Sequence, residues 1–228
     1  EFRVECKAGK PRVAYRESIT SVAEAEATFD RPLEGRDQHV NCRLKLEPIE
    51  KGKGFVFENA VSGGKLPRKF SMSAEQGILD SLGNGILAGF PLIDLKVSLL
   101  SCNYEEDSTQ LAFSIGAATA FQEGLKQADS ILLEPSMKIE VILPMQHTGD
   151  VIGDLNARRG RVRGMEERAG VQVIDAEAPL SEMFGYSTQL RSLTQGRASY
   201  SMQFSHYIPV TDATRGILTG EQPSFAEA

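Results

Sequence analysis

Residues 135 to 204 carry one pattern written twice. The first copy runs from Met137 to Met165 and contains GDVIGDLNARRGRVRGM; the second runs from Val171 to Met202 and contains EMFGYSTQLRSLTQGRASYSM. Pro144 precedes Pro179 by 35 residues, as Leu155 precedes Leu190; Gly160-Arg161 precedes Gly196-Arg197 by 36. Each copy reads as a strand, a helix and a Gly-Arg step into a second strand. Two β-α-β units of this length can share one antiparallel sheet with both helices on one face. The pattern therefore predicts a ferredoxin-like split β-α-β, whose open face or loop edges are left to bind something large or stay idle.

The remaining sequence, 228 residues in all, leaves room for a second small domain with its own core. Apolar residues make up 41% and charged residues 25%, which places the chain among folded globular proteins rather than disordered ones. A formal net charge of −6 excludes a nucleic-acid grip by the global field, so any RNA contact must come from local basic patches. Cys6, Cys42 and Cys102 are scattered without a CxxC spacing, which predicts free thiols in a reducing compartment. His39 and Cys42 form an H-x-x-C fragment with no second ligand pair at zinc spacing, so no metal site is expected. No apolar run reaches the ~20 residues of a membrane span, and no signal segment opens the chain. The first residues, EFRVEC, already alternate like a strand, which suggests that the chain begins inside a larger protein.

Ahead of the repeat, Pro11 blocks a helix in KPRVAY, and VAEAEATFDRPLEGRDQ reads as a polar, acidic stretch with a turn at Pro32 and Gly35. HVNCRLKLEP alternates, with Val40, Cys42, Leu44 and Leu46 on one face, and FVFENAV is the next strand. Ser73 to Gln76 reads as a capping box opening a helix through Leu82, ended by the glycines 83 and 85. FPLIDLKVSLL is an apolar strand. Asp107 to Gln110 reads as a second capping box, opening the longest helix, with Leu111, Ile115, Ala118 and Leu125 as its buried stripe and Phe121 beside it. DSILLEP is expected as a linker, and the stretch from Thr211 as a mobile tail.

KPRVAYRES, FVFENAVSGGKLP, NGILAGFPLIDLKVSL, LLEPSMKIEV, GDVIGDLNARRG and EMFGYSTQLRSLTQGRASYSM together resemble the C-terminal part of elongation factor G, a translational GTPase acting on the ribosome. The resemblance covers nearly everything from Phe2 to Tyr207. It implies an α+β chain. Residues 1 to 130 would be the family's fourth domain, a ribosomal protein S5 domain 2-like fold; 131 to 210 its fifth, the ferredoxin-like domain; and 211 to 228 a tail. GTP and magnesium would belong to the parent's nucleotide-binding domain. SGGKLP (Ser62 to Pro67) lacks the spacing and the hydroxyl of a phosphate-cradling loop, so no cofactor is expected in this fragment. The implied partners are the rRNA of both ribosomal subunits, with tRNA-mRNA or the ribosome recycling factor, for a cytoplasmic, monomeric protein.

In this family the fourth domain resembles a rigid arm reaching the decoding side of the small subunit. Its first tip loop is usually SGGRGQYGHV. Here it is RPLEGRDQHV, which makes Arg31, Gly35, Arg36, Gln38 and His39 the expected tip residues. The second, usually DGSYHEVDSS, is SCNYEEDST, in which Tyr104 matches and Glu105 replaces a histidine. A carboxylate facing phosphates repels them. Both changes resemble the second, recycling-type elongation factor G. The fifth domain lies in this family near the sarcin-ricin loop of rRNA, and Arg191, Ser192 and Gln195 match its contact motif.

Arg158, Arg159, Arg161, Arg163 and Arg168 follow the first repeat helix. Such a set can grip phosphates by bidentate hydrogen bonds, or can simply be a solvated helix end favoured by the dipole. Asp150 and Asp154 read as helix decoration rather than paired catalytic acids. His147 and His206 have no nucleophile set around them, so no catalytic residue is expected. Phe184 and Tyr186 read as core and shelf residues, with base stacking the minor alternative. Two rival readings remain: a freestanding RNA-binding module, and an acylphosphatase-like small hydrolase, for which no phosphate-cradling loop with an arginine and an asparagine is found.

Overall fold

A computed structural model describes residues 12–33, 35–62, 66–105 and 107–220. EFRVEC with Cys6 and Pro11, the middle of SGGKLP and the last eight residues lie outside the described residues. In chain order the elements are β1 (Arg16–Ile19), β2 (Ala23–Leu33), β3 (Arg36–Pro48), β4 (Phe55–Asn59) and α1 (Arg68–Ser81). Then come β5 (Leu95–Tyr104), α2 (Gln110–Gln127), β6 (Ser130–Leu143), α3 (Thr148–Ala157) and β7 (Arg161–Arg168). The last are β8 (Val171–Pro179), α4 (Tyr186–Leu193), β9 (Ser199–Pro209) and α5 (Asp212–Thr219). The chain forms two compact units. Among the described residues, the first holds Tyr15–Leu133 with residues 209–220; the second holds Glu134–Ile208 with residues 12–14.

The first unit carries a sheet ordered β2-β3-β5-β4, antiparallel except for the parallel β4–β5 pair. Alternation fixes its register: Val40, Cys42, Leu44 and Leu46 are fully buried, as the sequence predicts. The opposite face is solvated and internally neutralised, with Arg43 on Glu24 (2.6 Å), Lys45 on Glu47 (2.8 Å) and Asn41 donating to Glu26 (2.8 Å). The polar, acidic stretch before the turn at Gly35 forms β2. Its apolar face is made of alanines, Ala23 and Ala25, which give a weak alternation signal. Pro32 is tolerated because β2 is an edge strand.

The helices correct the sequence reading in three ways. α1 begins at Arg68 behind Pro67, so Ser73 is interior and its hydroxyl donates to the Lys69 carbonyl (2.9 Å) rather than capping. α2 is capped by Thr109, whose side chain accepts from the Ala112 N–H, and not by Asp107. The buried stripe of α2 is Ala112, Phe113, Gly116, Ala117, Ala120, Phe121, Gly124 and Leu125, while Leu111 is 52% exposed. Close approach decides this. A Cβ on Gly124 would lie 2.7 Å from Leu46 Cδ1, and one on Gly77 of α1 would lie 2.1 Å from the Ser114 carbonyl oxygen. Only the small-residue face of α2 can come that near its neighbours.

The expected linker does not exist as one: Ser130 to Pro135 belong to β6, whose first four residues pair with β1. The expected tail contains α5, because the Thr211 side chain accepts from the Thr214 N–H and opens a helix.

The second unit is the repeat. Its strands are ordered β9-β6-β8-β7, with β8 antiparallel to both β6 and β7. The Val210 N–H donates to the Leu132 carbonyl (3.1 Å), so β9 ends where β6 begins and also runs antiparallel to it. Ile139, Val141, Leu143, Ile174, Ala176 and Ala178 of the sheet pack on Val151, Leu155, Tyr186 and Leu190 of the two helices. This is the ferredoxin-like arrangement expected from the repeat, and the chain as a whole is α+β. Pro144 and Pro179 each end a strand and open a short 3-10 turn, Met145–His147 and Leu180–Glu182.

Both repeat helices close the same way. The Gly160 N–H donates to the Leu155 carbonyl and the Gly196 N–H to the Arg191 carbonyl, each at 2.8 Å. The residue before each glycine is left-handed: Arg159 at φ 58° and Gln195 at φ 53°. These are Schellman closures in which a non-glycine takes the left-handed position. Gly196 is left-handed too (φ 75°) but second in line.

Candidate functional site

Strand direction places the two arginine-bearing segments of the repeat at opposite ends of the sheet. Ser136 pairs with Pro179 at one end of the repeat sheet, and Leu143 with Gln172 at the other. α3 returns to the Ser136 end, where β7 begins. α4 returns to the Leu143 end, where β9 begins. By strand rise the two ends lie roughly 24 Å apart. Arg158, Arg159 and Arg161 therefore stand at one end, and Arg191, Ser192 and Gln195 at the other. They are not one patch.

At the Ser136 end most arginines are already paired. Arg158 Nε donates to Asp154 Oδ2 (2.9 Å), its Nη1 donates to the Glu182 carbonyl (2.6 Å), and its guanidinium lies 5.3 Å from the centre of the Tyr186 ring. Arg159 Nη1 lies 2.8 Å from Oε1 of Glu134, a contact of charge rather than an aligned hydrogen bond. Glu134 is 0% exposed, and its other oxygen accepts from the Ser181 hydroxyl at 2.6 Å. Arg163 donates through Nε (2.9 Å) and Nη2 (2.6 Å) to one oxygen of Glu177; Arg168, at the far end of β7 beside Val171 and so at the Leu143 end, pairs with Glu166. Of the five arginines only Arg161 has no side-chain partner among the described residues. The open-face groove beside them is lined by Lys138, Arg163, Gly164, Asp175 and Glu177, whose charges balance. Tyr186 is core: burial first, then the nearby Asp154 carboxylate, pushes its phenol above the ordinary range. Phe184 is exposed.

The Leu143 end is different. Arg191, Ser192, Gln195 and Arg197 are exposed, and none has a side-chain hydrogen bond or ion pair among the described residues. Beneath them Thr194 is fully buried. Its hydroxyl donates to the Leu190 carbonyl (2.7 Å) and accepts from the Ala198 N–H (3.3 Å), which ties the turn to α4. Arg197 was missed by the sequence reading, although the repeat marks it as the counterpart of Arg161.

In the first unit β2 and β3 form a hairpin in which Leu33 pairs with Arg36, and Gly35 in the turn has φ 79°. Only a residue free of Cβ strain suits that turn position. Arg31, Gly35 and Arg36 are exposed. His39 lies 3.8 Å from Asp30, its cross-strand partner, and Glu105 is exposed on the second loop. Of the other expected tip residues, Tyr104 is half-buried and Gln38 is buried. Tyr104 packs its ring on Phe70 (5.4 Å) and Phe113 (5.3 Å). Gln38 is 1% exposed, and its Oε1 accepts from the Thr109 N–H at 2.7 Å.

Among the described residues no group of three or more His, Cys, Asp or Glu could hold a metal ion. His39 and Cys42 point to opposite faces of β3. Cys42 and Cys102 are free thiols with sulfurs 3.3 Å apart; the hydrogen bond to Cys102, then burial, pushes the Cys42 thiol far up. Among the described residues no helix is long and apolar enough to cross a membrane.

The family model for elongation factor G domain IV matches residues 11–129, and the model for the elongation factor G C-terminus matches residues 131–217. A crystal structure of a protein from Thermus thermophilus superposes with a TM-score of 0.86 at 37% sequence identity, covering 93% of this chain and 32% of that one. The chain thus spans about a third of the length of that relative.

Proposed function

This chain belongs to the elongation factor G family, and on that premise we propose that it is the ribosome-contacting part of a longer translation factor whose GTP hydrolysis takes place elsewhere in the polypeptide. In this reading the fourth domain ends near residue 130 and the fifth near residue 210. The Leu143 end of the repeat sheet, with Arg191, Ser192, Gln195 and Arg197, rests on rRNA. The β2–β3 hairpin and the loop after β5 reach the decoding side as an arm, acting on tRNA-mRNA or beside the recycling factor. A cytoplasmic monomer is the simplest form of such a protein.

One observation carries the rRNA assignment: at the Leu143 end Arg191 and Arg197 are unpaired on a turn fixed from below by Thr194, whereas at the other end Arg158 and Arg159 are held internally and Arg161 alone has no partner among the described residues. Unpaired arginines on a fixed frame suit bidentate phosphate recognition. The proposal predicts that Arg191→Ala with Arg197→Ala, in the full-length factor, weakens ribosome binding and reduces the salt slope by about one per lost phosphate contact. Ribosome-stimulated GTP turnover should fall in parallel. Unchanged affinity and slope would refute the assignment. Glu105, standing where the family pattern has a histidine, favours recycling over translocation, since a carboxylate repels RNA phosphates. Subunit splitting measured beside translocation discriminates the two.

A further inference from the structure

The two tip loops are tied together by side chains that do not reach solvent. Gln38, on β3, accepts from the Thr109 N–H through Oε1 at 2.7 Å. Its Nε2 donates to the Asp37 carbonyl at 3.1 Å and lies 3.5 Å from the Asp107 carbonyl. Ser108 forms a second tie: its hydroxyl donates to the His39 carbonyl (3.3 Å) and accepts from the Glu105 N–H (3.0 Å). Both Gln38 and Ser108 are buried. Thr109 is itself the cap of α2, so the same amide group fixes where that helix begins.

We infer that Gln38 is a positioning residue: it locks the β2–β3 hairpin and the β5–α2 loop into one contact body and sets where Arg36, His39 and Glu105 stand relative to each other. The inference rests on the reading of the tip as a working surface. Its chemistry is specific. A primary amide supplies an acceptor for Thr109 and donors for the carbonyls of residues 37 and 107 at once, within one buried volume. A carboxylate keeps the acceptor and loses the donors; a thioether of similar length loses both. Unmade bonds in a buried position are costly, so loss of the amide should release the second loop rather than leave it in place.

Amide hydrogen exchange on this chain tests the lock without reference to the ribosome. Gln38→Met should raise exchange at Thr109 about tenfold, as loss of one buried hydrogen bond implies, and Gln38→Glu should raise it too, because a buried carboxylate keeps the acceptor but faces the carbonyls of residues 37 and 107 without a donor. Ser108→Ala should expose the Glu105 amide in the same way, which keeps the test usable if Gln38→Met folds poorly. Unchanged protection at Thr109 in Gln38→Met overturns the inference. In the full-length factor, Gln38→Met should slow subunit splitting or translocation at saturation with little change in the ribosome concentration needed. Arg36→Ala serves as the reference for a direct contact. If Arg36→Ala slows the step and Gln38→Met, with its loop released, does not, the positioning role is overturned. If neither variant slows it, the reading of the tip as a working surface fails first and takes the positioning role with it.

Discussion

The two ends of the repeat sheet share a backbone plan and differ in what their arginines do. At each end a helix closes with a Schellman turn, a non-glycine residue takes the left-handed position, and a Gly-Arg step begins a strand. At the Ser136 end, Arg159 reaches a fully buried Glu134 and Arg158 is held by Asp154 and the Glu182 carbonyl. At the Leu143 end, Arg191 and Arg197 point to solvent. A repeat duplicates backbone geometry because hydrophobic spacing and helix closure are local. It does not duplicate side-chain partners, which come from whichever segment the fold brings near. A cluster of arginines in a sequence is thus a poor measure of positive charge available to a ligand.

The largest expected effect tests this contrast directly. Arg159→Met leaves Glu134 buried without its cation and should cost about 3–5 kcal/mol of stability, whereas Arg191→Ala should stay within about 0.5 kcal/mol. Chemical denaturation of both variants checks it, and equal losses would remove the distinction between the two ends. A smaller effect uses glycine at the two equivalent left-handed positions. Gln195→Gly should gain up to about 1 kcal/mol by relieving the strained backbone, less the added freedom of the unfolded chain. Arg159→Gly should lose stability despite the same backbone relief, because the ion pair goes with it. A gain at both positions would show that the Glu134 pair contributes little.

The smallest effect concerns an exposed ion pair, Lys96 on Glu58 at 2.6 Å, as a contrast to the buried one. The hydrogen bond from Lys96 holds the Glu58 carboxyl below its usual range, and the same bond holds the Lys96 ammonium above its own. The Glu58 contribution is therefore present above the ordinary carboxylate pKa of about 4.3 and is lost as pH falls through the lowered folded value. The Lys96 contribution is present below its ordinary value of about 10.4 and is lost as pH rises through the raised one. Glu58→Gln should flatten the acid limb of a stability–pH curve slightly, and less so in high salt, as expected for a solvated pair. An undiminished acid limb in that variant would show the pair to be energetically silent.

Much of the fold was legible in the chain itself. The alternation Val40, Cys42, Leu44, Leu46 fixed the inner face of β3, and the doubled pattern around Pro144 and Pro179 fixed the order strand, helix, strand in each half. These signals survive because a strand's two faces and a helix's stripe repeat over a few residues, within the reach of local sterics. The strand at Ala23–Leu33 was obscured because alanines alternate too weakly with glutamates, and the start of α1 because Pro67 fixes the entry angle without any capping hydroxyl.

What the sequence determined alone, then, was the alphabet of elements and their sidedness. The packed structure decided which face of α2 lies down, since only contact with Leu46 and with α1 selects the small residues over Leu111. It decided that Gln38 accepts from the Thr109 N–H, that Tyr104 packs on Phe70 and Phe113, and that Arg159 serves a carboxylate 25 residues earlier in the chain. Such pairings depend on distances between segments remote in sequence. They are settled by burial: a charge or amide removed from water takes the partner that the surrounding core places within reach.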